Sequence, residues 1–179
     1  MAIRGPFGAE KPITSKNVGT VASGSSVVEY GDGIHHQSVI TVDTTLGAIA
    51  GGAALGLGKL VYTLPDGALD IKASYISMAL TASEANIPSD TPEVGLGTVV
   101  ASAAVSVLNG TTEFDEIMVE QTATDCNGTA TVAHVATSLV VATGDVHAIF
   151  FNVAATWTAS GDAACAIAGT IILEWVFIT

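Results

Sequence analysis

Four histidines (His35, His36, His134, His147) and two cysteines (Cys126, Cys165) are the residues of this 179-residue chain best suited to chemistry. A catalytic or metal centre needs such groups to converge with carboxylates or a nucleophile. Their spacing argues against it. His35 and His36 are neighbours in a strand-like run, so their side chains point to opposite faces and cannot share one metal. His134 sits among Val132, Ala136 and Val140, and His147 opens an apolar strand face; both read as hydrogen-bonded or edge histidines. Asp43, Asp66 and Asp125 stand where strands run out, as turn-forming residues do. Two cysteines make neither a disulfide framework nor a ligand cluster, and read as reduced thiols, Cys165 in the last strand and Cys126 near a turn. The Gly-rich run Leu46–Gly58 ends in Gly58-Lys59-Leu60 with a strand following, not in the Gly-Lys-Ser/Thr and helix of a phosphate loop. No Gly-x-Ser-x-Gly elbow is present. Aromatics are 6% of residues and mostly alternate inward, which counts against a sugar-stacking cleft. The expectation is a protein without catalytic residues, cofactor or metal, and not an enzyme.

The elements that would carry these residues are strands. The last third reads as three: Thr129–Thr143, Val146–Thr158 and Cys165–Ile178. In the middle one His147, Ile149, Phe151, Val153, Ala155 and Trp157 share a face; in the last, Cys165, Ile167, Ile171, Leu173, Trp175 and Phe177 do. Period-two patterning with β-branched and aromatic residues marks half-buried strands. Earlier strands are predicted at Val27–Tyr30, Ile34–Asp43, Lys59–Leu64, Leu69–Thr81 and Val94–Leu108, the last with a break near Ala103. Within Leu69–Thr81 the apolar phase slips, predicting a β-bulge near Tyr75–Ile76 or a strand bent between two sheets. Asn109-Gly110 and Asn127-Gly128 are the strongest hairpin signals. Thr112–Met118 could hold a helical turn. Leu46–Gly58 reads as a close-packed loop at a subunit contact, because Gly and Ala let backbones approach. Eight or nine strands without long helices predict one all-β domain, an antiparallel β-sandwich of jelly-roll type, over residues 26–179. Residues 1–25, broken by Gly5-Pro6-Phe7-Gly8, Lys11-Pro12 and Ser23-Gly24-Ser25-Ser26, read as an extended N-terminal arm.

Charge divides the chain the same way. Seventeen acids against five basic residues give a net charge of −12, with 12% charged and 49% hydrophobic residues. Every basic residue (Arg4, Lys11, Lys16, Lys59, Lys72) lies at or before position 72, and eleven acids follow. Such a body repels nucleic acid. No run reaches the roughly twenty apolar residues of a membrane helix. Few charges on so apolar a chain predict surface covered by protein, hence self-association. Before Val18 three basic residues face one acid, so Arg4, Lys11 and Lys16, with the apolar Phe7, are expected to anchor the arm on a negatively charged partner. Leu46, Ile49, Leu55 and Leu57 are the expected self-association residues. The start, Met-Ala-Ile-Arg-Gly-Pro, lacks the apolar core of a signal peptide, which predicts synthesis in the cytoplasm without secretion.

Three segments carry a family resemblance: Gly33-Ile34-His35-His36-Gln37-Ser38-Val39-Ile40-Thr41-Val42, the Gly/Ala-rich Leu46–Leu64, and Gly169-Thr170-Ile171-Ile172-Leu173-Glu174-Trp175. Together they resemble the small acidic capsid cement (decoration) proteins of marine tailed bacteriophages, over most of the chain after residue 25. The resemblance implies a non-enzymatic jelly-roll virion protein, commonly a homotrimer. It would be made in the host cytoplasm and bind the outside of the shell formed by the major capsid protein. A tail or fibre knob would show the same strand pattern. A carbohydrate-binding module would instead expose Trp157 or Trp175.

Overall fold

The computed structural model describes residues 19–31, 34–49, 55–83, 87–157 and 163–178. Arg4, Phe7, Lys11 and Lys16 lie outside these residues. Among the described residues ten strands run in chain order: β1 (Thr20–Val21), β2 (Ser25–Gly31), β3 (His35–Ile49), β4 (Gly56–Thr63), β5 (Leu69–Ala82), β6 (Glu93–Gly97), β7 (Met118–Thr122), β8 (Asn127–Val141), β9 (Ala148–Ala154) and β10 (Ala163–Phe177). They form two five-stranded antiparallel sheets, β1-β4-β9-β6-β7 and β2-β3-β10-β5-β8. From β3 onward each strand crosses to the other sheet, except that β6 and β7 lie side by side. This is the eight-strand jelly roll, β3-β10-β5-β8 over β4-β9-β6-β7, with β2 and β1 added at one flank. The expected antiparallel β-sandwich is the observed fold.

Alternation builds its core. Ile149, Phe151 and Val153 of β9 face Ile167, Ile171, Leu173 and Trp175 of β10 across the sandwich, and all are at most 1% exposed. Ile40 and Val42 of β3 and Ile76, Met78 and Leu80 of β5 complete one continuous cluster.

Several local expectations are corrected. The bulge lies at Lys72, not at Tyr75–Ile76: Trp175 pairs with Ile71 and Glu174 with Ala73, leaving Lys72 unmatched. The extra residue lets Leu69 and Ile71, then Ser74 and Ile76, all face inward. Neither Asn-Gly pair closes a hairpin. Asn109-Gly110 sits in the long β6–β7 connection, and Asn127-Gly128 opens β8, whose predecessor β7 belongs to the other sheet. The pair signals positive φ, which Gly128 has at 88°, but here it serves the register shift between Ala79 and Thr81. Leu46–Gly58 is only partly a loop. Leu46–Ile49 ends β3 and Gly56–Gly58 begins β4, because Ala48 and Ile49 find partners in Ala164 and Ala163. Val94–Leu108 is strand only as far as Gly97; Ala103, at the expected break, has φ 55°. A single 3-10 turn covers Thr112–Phe114, and β7 was not foreseen.

Candidate functional site

A buried set of ionisable side chains lies inside the sandwich, where β2, β3, β4 and β10 meet. Alternation turns Glu29 inward from β2, and His36 and Ser38 inward from β3; Tyr62 enters from β4 and Trp175 from β10. None is more than 2% exposed. Glu29 Oε1 lies 2.6 Å from His36 Nδ1, and its Oε2 accepts from the Tyr62 hydroxyl at 3.0 Å and Ser38 Oγ at 3.3 Å. Trp175 Nε1 donates to Ser38 Oγ at 2.9 Å, and the His36 ring stacks flat on Trp175, centroids 4.1 Å apart. Burial, then the neighbouring Glu29 charge, push the Tyr62 hydroxyl far above its ordinary range, so it stays a donor. Gly19 N–H donates to the same hydroxyl at 2.7 Å, which ties the root of the N-terminal segment to the cluster. A carboxylate saturated by three partners and closed from solvent turns over no substrate. It holds strands together.

A second polar group works on the outer face of β4, β9 and β6. Asn152, fully buried, accepts from Ala101 N and donates to the carbonyls of Val99 and Phe114, at 2.9, 2.9 and 2.8 Å. Its neighbours across the sheet are Gly58 and Gly95. A Cβ on Gly58 would stand 2.3 Å from Asn152 Oδ1, and one on Gly97 2.1 Å from the Glu113 carbonyl. Glycine therefore makes the floor on which residues 98–117 lie, and Asn152 fastens them there.

At the edge of that segment Asp115 and Glu120 meet, and the Glu120 amide donates to Asp115 Oδ2 at 3.3 Å. Burial pushes Asp115 up from 3.8 to about 6, and the hydrogen bond to Glu120 adds to it. The same bond from Asp115 holds Glu120 below its ordinary value. The raised carboxyl binds more protons folded than unfolded between about pH 4 and 6, so its contribution falls as pH rises through that window. Glu120 partly offsets it. Asp115→Asn is therefore expected to stabilise the protein at pH 7.5 and to flatten its stability between pH 4 and 6, read from urea midpoints. An unchanged profile would show that Asp115 is not raised in the folded protein.

The remaining candidates disperse. His35 and His36 do point apart, His35 exposed and His36 buried. His134 stands exposed on β8. A shallow depression of about 600 Å³ gathers His147 with Asp66 and Asp145. All three are engaged by backbone: His147 contacts the carbonyls of Asp145 and Gly67 at 2.7 and 2.9 Å, Asp66 accepts from Gly67 N, and Asp145 from Ala142 N. They build turns. Among the described residues no three His, Cys, Asp or Glu are grouped to hold a metal ion. Trp157 and Trp175 are 8% and 1% exposed, so neither offers a sugar-stacking platform. Leu46, Ile49 and Leu57 are buried in the chain's own core, and Leu55 packs partly buried against it.

The surface feature that stands out is an edge. A sheet edge presents unpaired backbone groups, which proteins guard by shortness or charge. Three of the four described edges are guarded. β1 has two residues, β7 has five with Glu120 among them, and β2 carries the inward-pointing Glu29. β8 has fifteen residues and no Asp, Glu, Lys, Arg or Pro. Its outward side chains include Val132 at 63% and Val140 at 58% exposure. On the sheet face beside it, two uncharged rows lie between the rows of Glu174 and Asp43. The register aligns Val28, Val39, Ile172, Tyr75 and His134 in one row, and Ser26, Thr41, Thr170, Ser77 and Val132 in the next.

No family model and no curated protein matches the chain. Two solved structures resemble it. One is a chain of the Cyanophage Pam1 capsid asymmetric unit, at 16% identity and TM-score 0.41, with 94% of this chain and 95% of that one covered. The other is the arabinose-bound α-L-arabinofuranosidase MgGH51, at 11% identity and TM-score 0.36 over 95% of this chain; the match spans 27% of the enzyme's length.

Proposed function

We propose that this protein is a non-enzymatic virion structural protein: a cement protein that binds the outer surface of a phage capsid and stabilises the shell. The observation that carries the reading is the unguarded β8 edge and the two uncharged rows of side chains beside it, on a chain of net charge −12. Copies so strongly acidic repel one another least across a strand without acids, and β8 supplies one. Self-association, expected as a homotrimer, is accordingly assigned to β8 rather than to Leu46, Ile49 and Leu57, whose side chains the core already uses. Leu55 keeps a half-buried place near that core. The arm, with Arg4, Lys11, Lys16 and Phe7, would reach the major capsid protein. Each contact is weak, and repetition over a symmetric lattice multiplies them. The buried Glu29 cluster would give the arm a fixed root at Gly19, and neither nucleic acid nor membrane has a part.

The test uses three proteins, in sedimentation and in binding to capsids lacking the protein. The full chain should sediment as a trimer and saturate the capsids. Removing residues 1–18 should leave the trimer and abolish saturation. Val132→Lys with Ala136→Lys should give monomers whose occupancy falls at least tenfold. A full chain that sediments as a monomer sinks the assignment of β8; full occupancy without the arm sinks the docking role. Electron microscopy of the virion separates a shell protein from a tail or fibre knob by position.

A further inference from the structure

We propose that in the free protein residues 1–18 lie back across the chain's own body, along two neighbouring depressions lined by acids and exposed valines. The register brings the strand ends that form them together. Thr20 of β1 pairs with Thr63 at the end of β4, Thr63 with Ala148 at the start of β9, and Phe150 of β9 with Gly97 at the end of β6. Gly19, where the arm joins the body, lines the first depression, of about 600 Å³, with Asp66 and Asp145. Asp145 also borders the second, of about 440 Å³, with Glu113, Glu116, Val99, Val140 and Val146. The three valines are 40%, 58% and 57% exposed, and Asp66, Glu113 and Asp145 are exposed beside them. Among the described residues the basic side chains are Lys59 and Lys72, and neither lines these depressions. An apolar strip thus runs between four carboxylates with no cation of the described body to answer them.

The arm has the complementary composition. Lys16, Lys11 and Arg4 precede Gly19, with Ile13, Phe7 and Ile3 interleaved and Glu10 the one acid. Its direction suits as well, because β1 starts at this end of the sandwich and the chain before Gly19 leaves there. From β1 to β6 is three strand spacings, about 15 Å. The eight residues from Lys11 to Gly19 span up to about 28 Å when extended. Lys16 therefore reaches Asp66 and Asp145, Lys11 reaches Glu113 and Glu116, and Phe7 is left for the valines. A single exposed ion pair is weak. Tethering, however, holds the segment at an effective concentration of about millimolar, so a few such contacts beside an apolar strip suffice. The arm would cover Val140 and leave Val132 and Ala136 of β8 open for a second copy. This inference rests on the body and the arm alone and does not depend on the virion reading.

The full chain is treated with a water-soluble carbodiimide, which condenses a lysine amine with a carboxylate in contact and itself takes up the water, then denatured, weighed and digested. Lys11 and Lys16 should be joined to Asp66, Asp145, Glu113 or Glu116, at the mass of one chain less one water per link. Without the reagent, trypsin should cut slowly after Lys16; the bond after Lys11 is closed to it by Pro12. Glu113→Gln, Asp145→Asn and Val146→Ser together should weaken the links to Asp66 and Glu116 and speed that cut roughly fivefold. Val28→Ser with Asp43→Asn, at exposed positions of the other sheet, should leave both readouts unchanged. Links between chains, links from Lys11 and Lys16 to acids elsewhere, no link at all, or a cut whose rate the triple variant leaves unchanged each overturns the proposal.

Discussion

Asn152→Ala is expected to cost about 4 kcal/mol of stability, because the Ala101 amide and the carbonyls of Val99 and Phe114 lose their partner at a buried site. No water reaches a side chain with 0% exposure to replace it. The effect should be local before it is global. Residues 98–117 lie on a floor of glycines with little of their own to hold them, the small cluster of Ala101, Leu108, Phe114 and Ala154 apart. Limited proteolysis should cut this segment first in the variant, while the two sheets persist. A urea midpoint within experimental error of the wild type, or a segment that stays resistant, would show that the glycine floor alone fixes it.

Glu29→Ala should cost about 3–5 kcal/mol, because it leaves three buried polar partners without their acceptor. The loss leaves His36 Nδ1, the Tyr62 hydroxyl and Ser38 facing a hole in the core. Replacing both partners should be gentler than replacing one. Glu29→Met with His36→Leu is expected to lose less than Glu29→Ala alone, because no polar half of the pair remains uncompensated. His36 Nε2 already lacks a hydrogen-bond partner, so its removal also relieves an existing cost. Urea unfolding of the three proteins checks the order; a double variant weaker than the single one would show that the His36–Trp175 stack outweighs the Glu29–His36 hydrogen bond.

Removing the Glu29 carboxylate has a second consequence at the surface. β2 is an edge strand, and its inward charge is what disfavours pairing with a foreign strand. Both Glu29 variants should therefore associate more readily than the wild type at high concentration. The comparison with β8 is direct: one edge of the same sheet is protected by a buried acid, and the other is not.

What could be read without coordinates was everything that rests on side-chain period. The faces of β9 and β10 follow from alternation alone, because a strand buried on one side leaves no other pattern. The opposite placement of His35 and His36 follows from the same rule. A helix-free, turn-rich chain of this length has few ways to bury such faces, and the jelly roll is one. The Gly-Leu-Gly runs at Gly56–Gly58 and Gly95–Gly97 were a further signal, with leucine inward and glycine outward, though nothing local says what lies on the glycines.

Contacts between distant segments were decided only by folding. The bulge at Lys72 is set by how β10 registers against β5, and the phase slip in β5 marks only that a bulge exists. The Asn-Gly pairs state a backbone angle; whether a hairpin follows depends on whether the flanking strands share a sheet. Leu46, Ile49 and Leu57 look like surface in a Gly-rich run, yet β3 and β4 carry them into the core. Glu29 with Tyr62, and Asn152 with the segment after Gly97, are each assembled across strands that the jelly roll brings together. Period is a property of one strand, and so the sequence holds it; proximity belongs to pairs of strands, and only the three-dimensional arrangement creates it.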